Sequence, residues 1–260
     1  MKRIATALVL IPFIAWTVLA APWWVFLAVL AITGLLAYRE FDQIAAVSGI
    51  APAGWPGMAA GVALLLSPEP LSVAVLIAML GMVLALRVNN LAAALPAAGA
   101  FTLGIVYIFG AWRCAADLRA INPHWLLFAM VLSWAGDTAA LYVGRPFGKH
   151  KMAPKVSPGK SWEGAAGSVA GGMLVGGIYA YYLIPQASLG EALVLAAAGN
   201  IAGQVGDLCE SALKRGAGVK DSGTWLPGHG GWLDRLDSSF FSVPVVYALQ
   251  QLFTRLSGSV

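Results

Sequence analysis

One pattern constrains this chain above all others. Apolar runs follow one another from end to end, with only short polar turns between them. They fall at about 4–20, 22–38, 53–66, 71–86, 91–112, 124–143, 165–184, 189–206 and 239–256. A run of ~20 apolar residues spans a bilayer core as a helix, and a helix satisfies its own backbone polar groups there. The breaks carry turn chemistry: Ala21-Pro22, Ser67-Pro68-Glu69-Pro70, Asn89-Asn90, Asn122-Pro123 and Ile184-Pro185. Of 260 residues, 59% are hydrophobic and 11% are charged, against about 25% charged in a soluble domain. The expected fold is all-α: a polytopic integral membrane protein of about nine transmembrane helices, not a soluble globule. The net charge of +4 does not point to nucleic acid, because the cations sit between apolar runs rather than on a tail.

The start, Lys2-Arg3 followed by an apolar run, has the look of a signal peptide. The run is long, however, contains Pro12 and is followed by further spans, so it reads as the first transmembrane helix. Placing the N-terminus inside puts 13 of the 16 Lys and Arg residues on the inner side; only Arg113, Arg119 and Arg255 fall outside. Cytoplasmic loops carry such an excess. The N-terminus is therefore expected in the cytoplasm and Val260 outside, in a multi-pass protein of the cell's inner (plasma) membrane. Cys114 and Cys209 then lie near opposite faces, so no disulfide is expected between them.

Chemistry is concentrated in one half. Residues 1–120 read as a transmembrane scaffold. Its charged segment Tyr38-Arg39-Glu40-Phe41-Asp42 reads as an interfacial anchor, and Trp16, Trp23, Trp24 and Trp55 suit interface positions. Residues 121–260, the rest of one continuous membrane domain, read as the catalytic half. Asp137 lies inside an apolar run, where an acid pairs with a cation or lines a polar cavity. A basic block, 144–164, holds Arg145, Lys149, His150, Lys151, Lys155, Lys160 and Glu163. A second block, 207–238, holds five carboxylates (Asp207, Glu210, Asp221, Asp234, Asp237), four cations (Lys214, Arg215, Lys220, Arg235) and His229. Carboxylates suit Mg²⁺, which takes one or two of them together with substrate phosphates. Lys and Arg contact phosphate oxygens, and the Gly228-His229-Gly230-Gly231 run lets backbone N–H groups approach an anion. These features point to metal-assisted phosphoryl or nucleotidyl chemistry at a membrane surface. Gly167/Gly171, Gly172/Gly176 and Gly199/Gly203 have G-x-x-x-G spacing, which permits close helix packing within one chain or between the two chains of a homodimer.

The second block runs Ser211-x-Leu213-Lys214-Arg215, then Lys220-Asp221-x-Gly223, then Leu226-Pro227-Gly228-His229-Gly230-Gly231-x-x-Asp234-Arg235-x-Asp237. This order and spacing resembles the signature of the phosphatidate cytidylyltransferases, or CDP-diacylglycerol synthases. The first block adds Ser157-Pro158-x-Lys160-Ser161-Trp162-Glu163-Gly164, similar to the same family, with Gly159 where many members carry Lys and Ser161 where many carry Thr. The resemblance covers about 134–238 in motif detail.

The resemblance implies transfer of CMP from CTP to phosphatidic acid, giving CDP-diacylglycerol and pyrophosphate, with Mg²⁺ required and room for a second cation. It implies Asp207, Asp234 and Asp237 as metal ligands, with Asp221 and Lys220 also in the catalytic group. Lys214, Arg215 and Arg235 would bind phosphates, with His229, Gly230 and Gly231 beside them. Lys155, Ser157 and Lys160 would complete a CTP or headgroup pocket facing the cytoplasm. Two other readings stand beside it: a CTP-dependent polyprenol or phytol kinase, and a transporter of a phosphorylated solute. Asp234 and Asp237 also suit a helix cap.

Overall fold

A computed structural model describes residues 2–225 and 230–258, with side chains from residue 10 onward. Its described residues are mostly helical. The helices are α1 (Lys2–Leu19), α2 (Trp23–Val47), α3 (Trp55–Leu66), α4 (Pro70–Ala85), α5 (Ala94–Ile105), α6 (Ala111–Ile121), α7 (Pro123–Phe147), α8 (Trp162–Leu183), α9 (Leu189–Gly216) and α10 (Leu233–Leu256). A π-helical turn, Val106–Gly110, joins α5 to α6, so residues 91–121 form one helical run. Each apolar run of the sequence thus falls on a helix. Four helical stretches, Trp23–Val47, Leu91–Ile121, Pro123–Phe147 and Leu189–Gly216, are long and apolar enough to cross a membrane. Large apolar side chains such as Trp24, Leu71, Met82 and Leu95 are exposed, and so are Trp16, Trp23 and Trp55. An apolar outer surface over long apolar helices is that of a polytopic membrane protein.

Two helices run past the ends of their apolar runs. The second apolar run was expected to end near 38, but α2 continues to Val47. The eighth apolar run ends near 206, and α9 continues through the polar residues to Gly216, so Asp207, Ser211 and Lys214 share one helix. Among the described residues, one two-stranded sheet forms, a hairpin inside the basic block. Strand β1 (Lys151–Ala153) pairs antiparallel with β2 (Ser157–Ser161). The turn between them closes with the Val156 N–H donating to Ala153 O at 3.1 Å, around Pro154, whose fixed φ suits the second position of such a turn. No disulfide joins Cys114 and Cys209.

The chain forms two interleaved compact units. The first comprises Met1–Leu8, Pro22–Arg113 and Leu213–Leu236. Its core sets Tyr38 of α2 against Phe109, ring centroids 5.9 Å apart. Glycines make room for these rings: a Cβ at Gly57 would collide with the Tyr38 hydroxyl, and one at Gly61 with the Phe109 ring.

The second unit comprises Val9–Ala21, Cys114–Ala212 and Asp237–Val260. Here α8 lies on α7 at close backbone range. A Cβ at Gly164 would stand 3.2 Å from Gly144 Cα, and one at Gly171 would overlap Ala139 Cβ. An adjoining side of α8 meets α9, with Gly176 against Ala196 as well as Leu132 of α7, and Gly172 against Asn200. Helix α10 approaches α9 at Gly199, Gly203 and Gly206. The G-x-x-x-G glycines are therefore contacts within the chain. Because α10 begins at Leu233, Asp237 lies a full turn inside the helix, and the capping reading fails at that position.

Candidate active site

In the second unit, the C-terminal end of α7, the hairpin, the start of α8 and α9 border an open cavity of about 430 Å³. That volume falls within the ~300–1,000 Å³ of small-molecule sites. Asp137, Arg145, Lys151, Lys160, Gln204 and Asp207 are among the residues that line it. Lys160, on β2, holds its Nζ 2.7 Å from Asp207 Oδ2 on α9, with the two side chains 28% and 35% exposed. The Ser211 hydroxyl donates to the other oxygen, Asp207 Oδ1, at 3.3 Å. Glycines set this geometry. A Cβ at Gly148 would collide with Gly144 O, and the lack of one lets the chain leave α7 for the hairpin.

The hairpin is anchored at its base. Glu163, in the first turn of α8, accepts the His150 N–H at 3.2 Å on both oxygens and meets His150 Nδ1 at 2.5 Å. Its own backbone N–H first, and the His150 ring second, pull the Glu163 carboxyl down to about 2. His150 is exposed and serves this anchor. Deeper in the helices lies a polar network that sequence reasoning missed. The Ser168 hydroxyl donates to Asn200 Oδ1 at 3.1 Å, and Asn200 Nδ2 donates to Leu132 O at 3.1 Å. Gln204 Nε2 donates to Asn200 Oδ1 at 2.8 Å. Three polar side chains spaced through apolar helices were the available signal.

Asp237 is buried in α10, with its Oδ1 accepting the Ser238 N–H at 2.6 Å. A Cβ at Gly206 would come 2.7 Å from Asp237 O, so α9 and α10 touch at the residue preceding Asp207.

The first unit holds the other half of the motif. Asp234 Oδ1 pairs with Lys214 Nζ, and Asp234 Oδ2 accepts the N–H groups of Ser222 at 2.9 Å and Gly231 at 2.8 Å. These two charged side chains are only 7% and 9% exposed. Burial works against ionisation of Asp234, but the Lys214 hydrogen bond and the two N–H donors outweigh it and hold its pKa below the usual carboxylate range. Gly230 has φ +77° and its missing Cβ would collide with Asp234, so the turn requires glycine there.

Glu40 of α2 joins this cluster. It accepts from the Ser222 hydroxyl at 2.7 Å, the Trp232 N–H at 3.0 Å and the Leu233 N–H at 2.8 Å. The reading of 38–42 as an interfacial anchor therefore fails: Glu40 is 1% exposed. Nearby, the Arg39 guanidinium lies 5.6 Å over the Trp225 ring.

Other expected site residues lie at the surface. Lys155, Arg215, Lys220, Asp221 and Arg235 are exposed, while Ser157 is half-buried opposite Ala153 in the hairpin. Arg215 Nη1 donates to Val219 O at 2.9 Å. His229 lies outside the described residues. Among the described residues, no three His, Cys, Asp or Glu side chains stand together as a ready metal cage. The donor chemistry still fits a hard divalent ion that needs one or two carboxylates and completes its shell with water and phosphate. Asp207, whose oxygens are held by Lys160 and Ser211, is partly exposed on the cavity wall, whereas Asp234 is buried with both oxygens engaged.

Comparison with known proteins gives a consistent result. A model of the cytidylyltransferase family matches residues 1–253. A phosphatidate cytidylyltransferase of Haemophilus influenzae is 39% identical over 153 residues, covering 56% of this chain and 53% of that protein. That of Bacillus subtilis is 39% identical over 162 residues, covering 60% and 59%. That of Pseudomonas aeruginosa is 39% identical over 155 residues, covering 56% and 55%. The matched stretch spans little more than half the length of these relatives.

Proposed function

The chain belongs to the cytidylyltransferase family, and from that premise we propose that it transfers the cytidylyl group of CTP to phosphatidic acid. A phosphatidate oxygen attacks the α-phosphorus of CTP. The new O–P bond forms as the bond to the β-phosphate oxygen breaks, releasing pyrophosphate and leaving CDP-diacylglycerol. The attacking phosphate is already ionised at neutral pH, so the reaction asks little of a general base. Its main barrier is repulsion between two polyanions, and positioned cations lower it.

The observation that carries this reading is the Lys160–Asp207 pair on the wall of a polar cavity among apolar helices. There a lipid keeps its chains in the bilayer while its headgroup reaches charge. Before substrate arrives, Lys160 and Asp207 neutralise one another. An incoming phosphate would draw Lys160 away and free the Asp207 carboxylate, which could then hold a divalent cation. Arg145 and Lys151 on the same wall add positive charge for the remaining phosphate oxygens. Lys155, Ser157, Lys214, Arg215, Lys220, Arg235 and the His229-Gly230-Gly231 turn are further phosphate-binding candidates, on the strength of the motif. On the strength of the motif, Asp207, Asp234 and Asp237 are the candidates to hold Mg²⁺, with Asp221 a fourth. When bound, such an ion would supply positive charge to offset that of the phosphate oxygens. The proposal includes the cytoplasmic orientation of this site in the inner membrane and the nine-span topology, both drawn from the 13-to-3 division of Lys and Arg.

The test is a lipid-extract assay with labelled CTP and phosphatidic acid, with and without Mg²⁺. Mg²⁺-dependent formation of CDP-lipid and pyrophosphate is expected. Phospholipid plus CDP would show a kinase instead, and no turnover of CTP would defeat the reading.

A further inference from the structure

Glu40 has no place in the motif that marks this family's site, yet its surroundings are among the most specific in the molecule. Its side chain is almost wholly buried. Its three partners lie 182 to 193 residues further along the chain: the Ser222 hydroxyl and the Trp232 and Leu233 N–H groups. All three are donors, and both carboxyl oxygens accept. A buried carboxylate is tolerated only with such satisfaction. The loop is shaped to provide it. A Cβ at Gly223 would stand 2.6 Å from Glu40 Oε1, and one at Gly231 would collide with Oε2.

Ser222 carries the connection onward. Its hydroxyl donates to Glu40 and accepts the Asp234 N–H at 3.3 Å, while its own N–H donates to Asp234 Oδ2 at 2.9 Å. Asp234 in turn holds Lys214. The order Glu40, Ser222, Asp234, Lys214 is thus one hydrogen-bonded chain. We infer that Glu40 is a positioning residue for the transfer reaction. It acts through Ser222 and the loop amides to fix Asp234, Lys214 and the glycine turn before α10. The inference rests on the cytidylyl-transfer reading above. Glutamine cannot substitute, because its NH₂ would face N–H or O–H donors; aspartate keeps the chemistry with a shorter reach.

The test uses the purified full-length protein and the variants E40Q, E40D, S222A and E40Q/S222A. Misplacing a reacting group by about 1 Å costs on the order of 10²-fold in rate. E40Q is expected to lower kcat by about that factor while the KM for CTP changes by less than about threefold. Amide hydrogen exchange at Trp232 and Leu233 should quicken about tenfold or more, as loss of a charged acceptor implies. E40D should recover part of kcat. S222A added to E40Q should cost little more, since both act through one link. The inference is overturned if E40Q leaves exchange at Trp232 and Leu233 unchanged. It is equally overturned if the activity loss merely tracks loss of folded protein, or if the single losses multiply in the double variant. Absence of phosphatidate-dependent CTP turnover in the wild type would sink the proposed function and this inference together. Wild-type turnover with unchanged exchange in E40Q would sink the inference alone.

Discussion

Asp234→Asn separates the structural weight of the second polar block from its chemistry. The substitution keeps the shape and one acceptor oxygen, so the Ser222 and Gly231 N–H groups retain a partner. It removes the negative charge that faces Lys214. Both side chains are less than a tenth exposed, so solvent does little to screen the loss. Removing one member of a buried ion pair costs about 3–5 kcal/mol, because the remaining charge is left in a poor environment. Within a total stability of roughly 5–15 kcal/mol, that is a large share, and it corresponds to a fall in Tm of about 6–20 °C. Differential scanning fluorimetry in detergent measures it. K214M/D234N, which removes the other charge too, should recover much of the loss. The pH dependence has a definite sign. The folded-state pKa of Asp234 is depressed, so the pair's contribution is complete above the unfolded value of about 3.9. It fades as pH falls through the lower folded value. A D234N Tm within about 1 °C of wild type at pH 7, with no recovery in the double variant, would refute this account.

Asp207→Asn should behave differently. Its pair with Lys160 is about a third exposed, so stability should change by less than about 1 kcal/mol, while turnover in the labelled-CTP assay should fall about 10²-fold or more. Lys160→Ala should raise the KM for CTP about tenfold, the equivalent of one charged hydrogen bond, as initial-rate kinetics would show. Gly171→Val should cost about 1–3 kcal/mol by overpacking, because a Cβ there overlaps Ala139; thermal unfolding measures it. Single cysteines at Lys155 and Lys220, in a background lacking Cys114 and Cys209, should react with impermeant thiol reagents only when the cytoplasmic side is open. Labelling of both in intact cells would invert the topology.

The sequence made the helices legible because a bilayer-spanning segment announces itself by composition alone. It was less informative where helices leave that environment. Residues 39–47 and 207–216 are helical but polar, and hydropathy cannot tell a polar helix end from a loop. Their amphipathic spacing, such as Asp207, Ser211 and Lys214 at i, i+4 and i+7, carried the information instead. The hairpin at 151–161 was hidden for another reason. Its strands are short and rich in Lys, Gly and Pro, with no alternation of apolar and polar residues to mark a buried face.

The site divides along the same physical line. Lys160, Asp207, Lys214 and Asp234 could be read because fixed local spacing reflects local geometry: a glycine turn, a helix face, a hairpin base. Each then meets a partner that the linear motif does not name as such, Lys160 with Asp207 and Lys214 with Asp234. Glu40 could not be assigned that way. Its partners lie 182 to 193 residues away, and nothing in the run Tyr38-Arg39-Glu40-Phe41-Asp42 distinguishes a solvated anchor from a buried acceptor. The distinction lies in its neighbours. Asp42 accepts N–H groups of Ala53 and Gly54 at 2.8 and 2.9 Å, a local tie within the first third of the chain. Glu40, one half-turn back on α2, faces the loop before α10. Two acids two residues apart point to different sides of a helix, so they were never equivalent, and the one on the apolar side had to find donors in the fold.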